Sequence, residues 1–173
     1  MLSKRIEEML NDQINYELFS SYLYLSMSAY LSDLNMNGYA HWFHVQAQEE
    51  KDHAMILYNY VVSAGGRIKL AAIDGPKTDF EGIREVLEET LEHERDITSR
   101  IYNIVEEATS QRDYKTVKAL EWFINEQVEE EENAVDNIAK YNMLAEDPKG
   151  LYMLDKELQA RVYVPSPLLA NQA

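Results

Sequence analysis

Gln46-Ala47-Gln48-Glu49-Glu50-Lys51-Asp52-His53 is the stretch on which the reading of this chain turns. It lies between Phe43 and Leu57, inside a run without glycine or proline whose apolar residues recur at helical spacing. Glu50 and His53 therefore stand one turn apart on a single helix face. That face is the apolar one. A carboxylate and an imidazole turned into a helical core cost several kcal/mol unless they are paired or bind a metal.

Working outward, the breakers delimit the other helices. The six glycines and four prolines fall at 38, 65, 66, 75, 76, 82, 148, 150, 165 and 167. The segments between them predict helices over 3–33, 36–64, 81–110 and 113–142. A short fifth helix is expected over Leu151, Leu154 and Leu158. The expected fold class is all-α: a four-helix bundle with one long crossover and a short fifth helix over residues 1–160, followed by a non-helical C-terminal tail, 161–173. The crossover follows from lengths. Short turns make the first two helices antiparallel, and likewise the third and fourth. The connection from Gly65 to Phe80 reaches about 53 Å when extended. That exceeds the roughly 43 Å of a bundle helix, so the second and third helices can run parallel.

Each long helix repeats the anomaly of Glu50 and His53. Glu17 lies seven residues from both Leu10 and Tyr24, Glu94 seven from both Leu87 and Ile101, and Gln127 and Glu130 fall between Ile124 and Ala134. Depth is the sharper criterion. At 1.5 Å per residue, Glu17 and Glu50 differ in height by about 3 Å, and Glu94 and Glu130 match each other and Glu50 about as closely. One inward glutamate is ordinarily solvated; four at one level make a site. Carboxylates with a single imidazole suit a pair of iron or manganese ions rather than a soft metal. Glu-x-x-His is half the ligand motif of two-metal carboxylate bundles. Its twin is absent, because Asn133 stands where a second histidine would follow Glu130, so the two positions are expected to be unequal.

Composition excludes several other functions. The net charge is −15, with no basic cluster for a nucleic-acid backbone or an anionic membrane. No apolar stretch approaches the roughly 18 residues of a membrane span, and Met1 to Asn11 lacks a signal-like apolar core. With no cysteine there is no disulfide, zinc knuckle or thiol nucleophile, so any metal is held by oxygen and imidazole, and a cytoplasmic location is expected.

Over residues 1–160, through Gln46 to His53, Asn125-Glu126-Gln127 and the spacing of Glu17, Glu94 and Glu130, the chain resembles the bacterial non-haem ferritins. The resemblance implies that Glu17 and His53 bind the first iron, Glu50 bridges, Glu94 and Glu130 hold the second, and Gln127 borders the oxygen-binding space. It further implies a third iron position at Glu49, Glu126 and Glu129, with Glu130 reaching both, and an electron-donor role for Tyr24. Trp122 invites that role too, but serves equally well as a packing residue beside Phe123. Haem is not expected, since Lys51 stands where haem-binding relatives carry methionine. By the same alignment Val117 and Leu120 occupy the places where animal ferritins carry the acids of their three-fold channels. His41, His44 and His93 have no partner at metal spacing and read as surface or structural groups.

The implied function is iron storage with ferroxidase activity. Fe(II) is oxidised by O2 or H2O2 at an intra-subunit non-haem diiron centre, and ferric mineral is deposited inside a homo-oligomeric shell of 24 subunits. Two alternatives stand beside it. One is a diiron or dimanganese oxidase or catalase that retains its metals; the other is an inert helical scaffold with buried charges.

Overall fold

Asn11, Asn15, Ser26 and Tyr30 lie along the first helix, and each holds the backbone of the long crossover. Asn11 Nδ2 donates to Arg67 O at 3.0 Å and its Oδ1 accepts from Lys69 N at 2.6 Å. Asn15 reaches Ala72 O at 3.3 Å, Ser26 Lys77 O at 2.6 Å, and Tyr30 Phe80 O at 2.6 Å. The connection thus spans the bundle from end to end, its otherwise unpaired carbonyls taken up by one polar stripe. The structure, a computed structural model, describes residues 2–170. Its helices are α1 (Lys4–Asp33), α2 (Asn37–Ser63), α3 (Ile83–Ser110), α4 (Tyr114–Leu144), α5 (Pro148–Leu158) and α6 (Pro167–Ala170). Helices α1 and α2 pack as one pair and α3 and α4 as the other, as the short turns require. Among the described residues no helix is long and apolar enough to cross a membrane.

The helix ends have identifiable causes. Ser3 caps α1 by accepting from Ile6 N at 3.2 Å, and Asp113 caps α4 by accepting from Thr116 N at 3.2 Å. Pro148 opens α5 behind the cap Asp147, so α5 begins three residues before the expected Leu151. The cap of α2 comes from elsewhere. Asp155 on α5 accepts from Gly38 N at 2.8 Å and Tyr39 N at 3.1 Å. Glycine is required here: a Cβ on residue 38 would lie 1.6 Å from Asp155 O.

One sequence expectation needs correction. The tail beyond Arg161 is not wholly non-helical. Pro167–Ala170 forms one helical turn, because Ser166 supplies a cap and proline is pre-set for the first position; Leu169 N donates to Ser166 O at 3.0 Å. Residues 171–173 of that tail lie outside the described residues. The tail also folds back along α2. Tyr163 OH donates to Asp52 Oδ2 at 2.8 Å, Ser166 N donates to the same oxygen at 3.1 Å, and Leu169 packs on the core. Leu120 lies on the core side of α4. It is fully buried in the bundle, and Val117 is half-buried beside it, because both lie on the core stripe of α4.

The apolar core is in two parts. One gathers Ile6, Leu10, Ile14, Leu57, Ile101 and Phe123 at one end; the other gathers Met27, Leu31, Tyr39, Phe43, Val86 and Leu158 at the end closed by α5. The buried polar groups Glu17, Glu50, His53, Glu94, Gln127 and Glu130 form the layer between them.

Candidate metal centre

This layer is the level that helix arithmetic assigns to the inward carboxylates. Glu17 is 0 % exposed, Glu50 1 %, His53 3 %, Glu94 1 %, Gln127 2 % and Glu130 5 %. Glu17, Glu50 and His53 bring one ligand atom each within 4.8 Å of one another, and so do His53, Glu126 and Glu130. His53 belongs to both groups, with Nδ1 3.4 Å from Glu50 Oε2 and Nε2 3.9 Å from Glu126 Oε1. The rings of Trp122 and Phe123 meet His53 edge-on at 5.4 and 6.0 Å, which fixes the plane of the imidazole. Trp122 is therefore a wall of the site.

On the far side, Gln127 Nε2 donates to Glu94 Oε2 and to the Glu94 carbonyl, both at 3.2 Å. Tyr24 OH, fully buried, donates to Glu94 Oε1. The tyrosine that the resemblance singles out is thus directly bonded to a proposed ligand.

Two further residues, given no role from sequence, complete the layer. Gln13 Nε2 donates to Glu17 Oε1 at 2.9 Å, and Gln46 Nε2 donates to Glu50 Oε1 at 3.1 Å and Glu130 Oε2 at 2.8 Å. Both are 1 % exposed. A signal was present: in α1 and α2 alike, a glutamine stands four residues before the inward glutamate, one turn below it on the same face.

These donors leave Oε2 of Glu17 and Oε2 of Glu50 buried without a hydrogen bond. Buried acceptors are otherwise almost always satisfied. Glu17 Oε2, and Glu50 Oε2 with only the imidazole Nδ1 at 3.4 Å, fit hard or borderline cations, which take the lone pairs that the protein leaves open.

The electrostatics agree. Burial, and then the Glu50 carboxylate, pushes Glu17 up to about 8. Burial and Glu50 likewise push Glu130 up to about 8, and burial, Glu50 and Glu130 together hold Glu94 well above the ordinary carboxylate range. Burial opposes a charge on His53, but Glu50 outweighs it and raises the imidazole to about 10. Burial alone would raise Glu50 too, yet His53 holds it below its ordinary value. Without metal, protons neutralise the layer; a bound cation would displace them.

The outer carboxylates differ. Glu49 and Glu126 are 24 % and 27 % exposed at the side chain, and Glu129 is exposed. Glu126 alone of the three joins a group of converging ligands. Glu49 is instead paired with Arg161 from the tail. A cavity of about 160 Å³ opens between Glu49, Asp52, His53, Trp122 and Glu126 on the helices and residues 164–167 of the tail.

The histidines outside the centre are structural or exposed. His93 stacks on Tyr16 at 5.2 Å and has Nε2 2.8 Å from Ser20 Oγ, His41 has Nε2 2.7 Å from Arg161 O, and His44 is exposed.

Comparison with known proteins finds relatives over nearly the whole chain. The model of the ferritin-like domain family matches residues 7–144. A bacterial non-heme ferritin of Staphylococcus aureus is 39 % identical over 163 residues, covering 94 % of this chain and 98 % of that protein. The corresponding protein of Staphylococcus haemolyticus is 40 % identical over 163 residues, with the same 94 % and 98 % coverage. Among solved structures, the open-pore ferritin of the hyperthermophilic archaeon Archaeoglobus fulgidus superposes with a TM-score of 0.92 at 41 % identity, covering 94 % of this chain and 99 % of that one. A closed form engineered from the A. fulgidus ferritin gives 0.93 at 40 % identity, with 95 % and 100 % coverage. Helix order, crossover and relatives matched from end to end place the chain in one group: it belongs to the ferritin-like family.

Proposed function

We propose that this chain is an iron-storage ferroxidase. It oxidises Fe(II) with O2 or H2O2 at the buried layer and passes the ferric product to a mineral inside a homo-oligomeric shell. The observation that carries this reading is the fully buried convergence of Glu17, Glu50 and His53, one ligand atom of each within 4.8 Å of the others, with Glu17 Oε2 left without a hydrogen bond. Names of the relatives support it, being those of ferritins, and a shell of 24 subunits in the cytoplasm is inferred with it.

In this reading Fe(II) is substrate rather than resident cofactor. Glu17 and His53 would hold the first ion, a set that converges with Glu50, and the resemblance assigns the second to Glu94 and Glu130, of which Glu130 converges with His53 and Glu126 while Glu94 is buried on the far side of the layer. Carboxylates favour Fe(III) over Fe(II), which lowers the potential and drives electrons toward the oxidant. Gln13 and Gln46 keep the carboxylates turned inward, while Gln127 and Tyr24 place an amide and a phenol against Glu94. Tyr24 is the group positioned to supply an electron and, through its bond to Glu94, to release its proton. Of the outer residues, Glu49 and Glu126 line the cavity by which the product leaves the buried layer for water, and Glu129 is exposed. Haem has no part in this reading.

The test is anaerobic loading with Fe(II) followed by air. A storage protein consumes many ions per chain and grows a mineral core; uptake that stops at about two per chain, the capacity of a retained two-metal site, refutes storage.

A further inference from the structure

Arg161 stands just beyond α5, and its side chain crosses back to α2. Its guanidinium lies over the Trp42 ring at 4.3 Å, and Nη1 donates to Gln46 Oε1 at 2.8 Å and to Trp42 O at 3.3 Å. Nη2 donates to Glu49. One planar cation thereby does two things. It neutralises a carboxylate of the outer group, and it fixes the carbonyl end of Gln46, so that the amide nitrogen must face inward to Glu50 and Glu130. The pair is four-fifths buried at Arg161, where charge is screened less than at an open surface.

We propose that Arg161 is a positioning residue and an exchangeable counter-ion. A divalent cation entering the outer position takes Glu49 from Arg161, and the freed guanidinium lets go of Gln46, which loosens the hold on Glu50 and Glu130. Occupancy of the outer position and affinity of the inner centre are then linked with opposite sign, as any coupling between two sites must be reciprocal. The tail thus helps the inner centre hand over an ion when the outer position fills. This rests on the two-metal reading above.

Zinc, redox-inert and content with carboxylate and imidazole ligands, is the probe. Calorimetric titration of the metal-free assembled protein, at about 0.15 M salt to suppress diffuse binding, separates a tight inner class from a weaker outer one. Arg161→Ala is expected to tighten the weaker class about tenfold, by removing the competing charge, and to weaken the tight class about threefold, by releasing Gln46. Arg161→Lys, which keeps the charge, should restore the weaker class to within about twofold of the parent. Tyr163→Phe cuts the tail's bond to Asp52 and leaves the cation in place, so it should move neither class. In a Gln46→Ala background, Arg161→Ala should no longer weaken the tight class.

An unmoved or weakened outer class in Arg161→Ala overturns the proposal, as does an equal shift in Tyr163→Phe, which would make Arg161 only an anchor. Additive effects in the double variant overturn the route through Gln46. If Arg161→Ala does not assemble, Arg161→Gln, neutral with a shorter stem, carries the same expectations. The absence of any tight class in the parent protein would instead refute the two-metal centre.

Discussion

Glu49 and Glu50 are chain neighbours, as are Glu129 and Glu130, yet within each pair one carboxylate belongs to the buried layer and the other to the outer group. Glu50 and Glu130 are 1 % and 5 % exposed; Glu49 keeps a quarter of its side chain in contact with solvent, and Glu129 is at the surface. One residue step turns a side chain through about 100° around the helix, enough to move a carboxylate from the core to its rim. The consequence is chemical. Inner carboxylates are desolvated, and Glu17 Oε2 has no hydrogen bond at all, which is why the proposed reading gives this layer the cation. Of the outer ones, Glu49 is paired with Arg161 and Glu129 is exposed, so in the proposed reading a metal there is held more loosely than in the inner layer.

The largest expected difference is at His53, shared by both groups of converging ligands. His53→Ala should slow the fast phase of iron oxidation by at least about a hundredfold, the upper range for loss of even a ligand's supporting partner. His44→Ala, altering an exposed imidazole, should change it less than about twofold. Stopped-flow absorbance after mixing with aerated buffer measures both, and a reversed order would remove His53 from the centre.

Glu130→Ala against Glu129→Ala sharpens the inner and outer contrast directly. The first removes a buried carboxylate, a proposed ligand that Gln46 also holds, and should cost roughly tenfold or more in initial rate; the second should cost less than about threefold. Equal losses would mean that the outer group takes part in the oxidation step itself.

A smaller effect is expected one layer back. Gln13→Ala leaves Glu17 without its one side-chain donor, while the Glu17 carboxylate itself remains. Inner affinity for zinc should fall about tenfold, at the low end for a supporting hydrogen bond. No change would show that helix packing alone orients Glu17.

The mildest test is pH. Glu17 and Glu130 are raised to about 8 and His53 to about 10, so the metal-free folded protein binds more protons than the unfolded chain. Stability from the two glutamates is complete below their ordinary range and is lost as pH rises through about 8; that from His53 is complete below about 6.5 and is lost as pH rises through about 10. The metal-free Tm should therefore fall between pH 6 and 9, measured by calorimetry at constant salt, more steeply than in Glu17→Gln/Glu130→Gln. Metal binding releases protons over the same range and so strengthens as pH rises. A metal-free Tm that climbs toward pH 9, unaffected by the double change, would contradict the burial of these groups.

What the sequence determined by itself is what helix geometry makes local. Spacing put Glu17, Glu50, His53, Glu94, Gln127 and Glu130 on core faces, and a fixed rise per residue put them at one depth. Chain length between breakers set the pairing of helices and the crossover. The Gln-x-x-x-Glu spacing of Gln13 and Gln46 was equally local and legible, though a glutamine on a core stripe has many possible partners. Tertiary structure alone decided which atoms meet across long separations. Asp155 caps α2 from 117 residues away, Arg161 reaches Glu49 across 112, and Leu120 packs into the core. No helical period relates such residues, because the direction of a returning segment depends on how α5 docks, and that is set by the packed bundle as a whole.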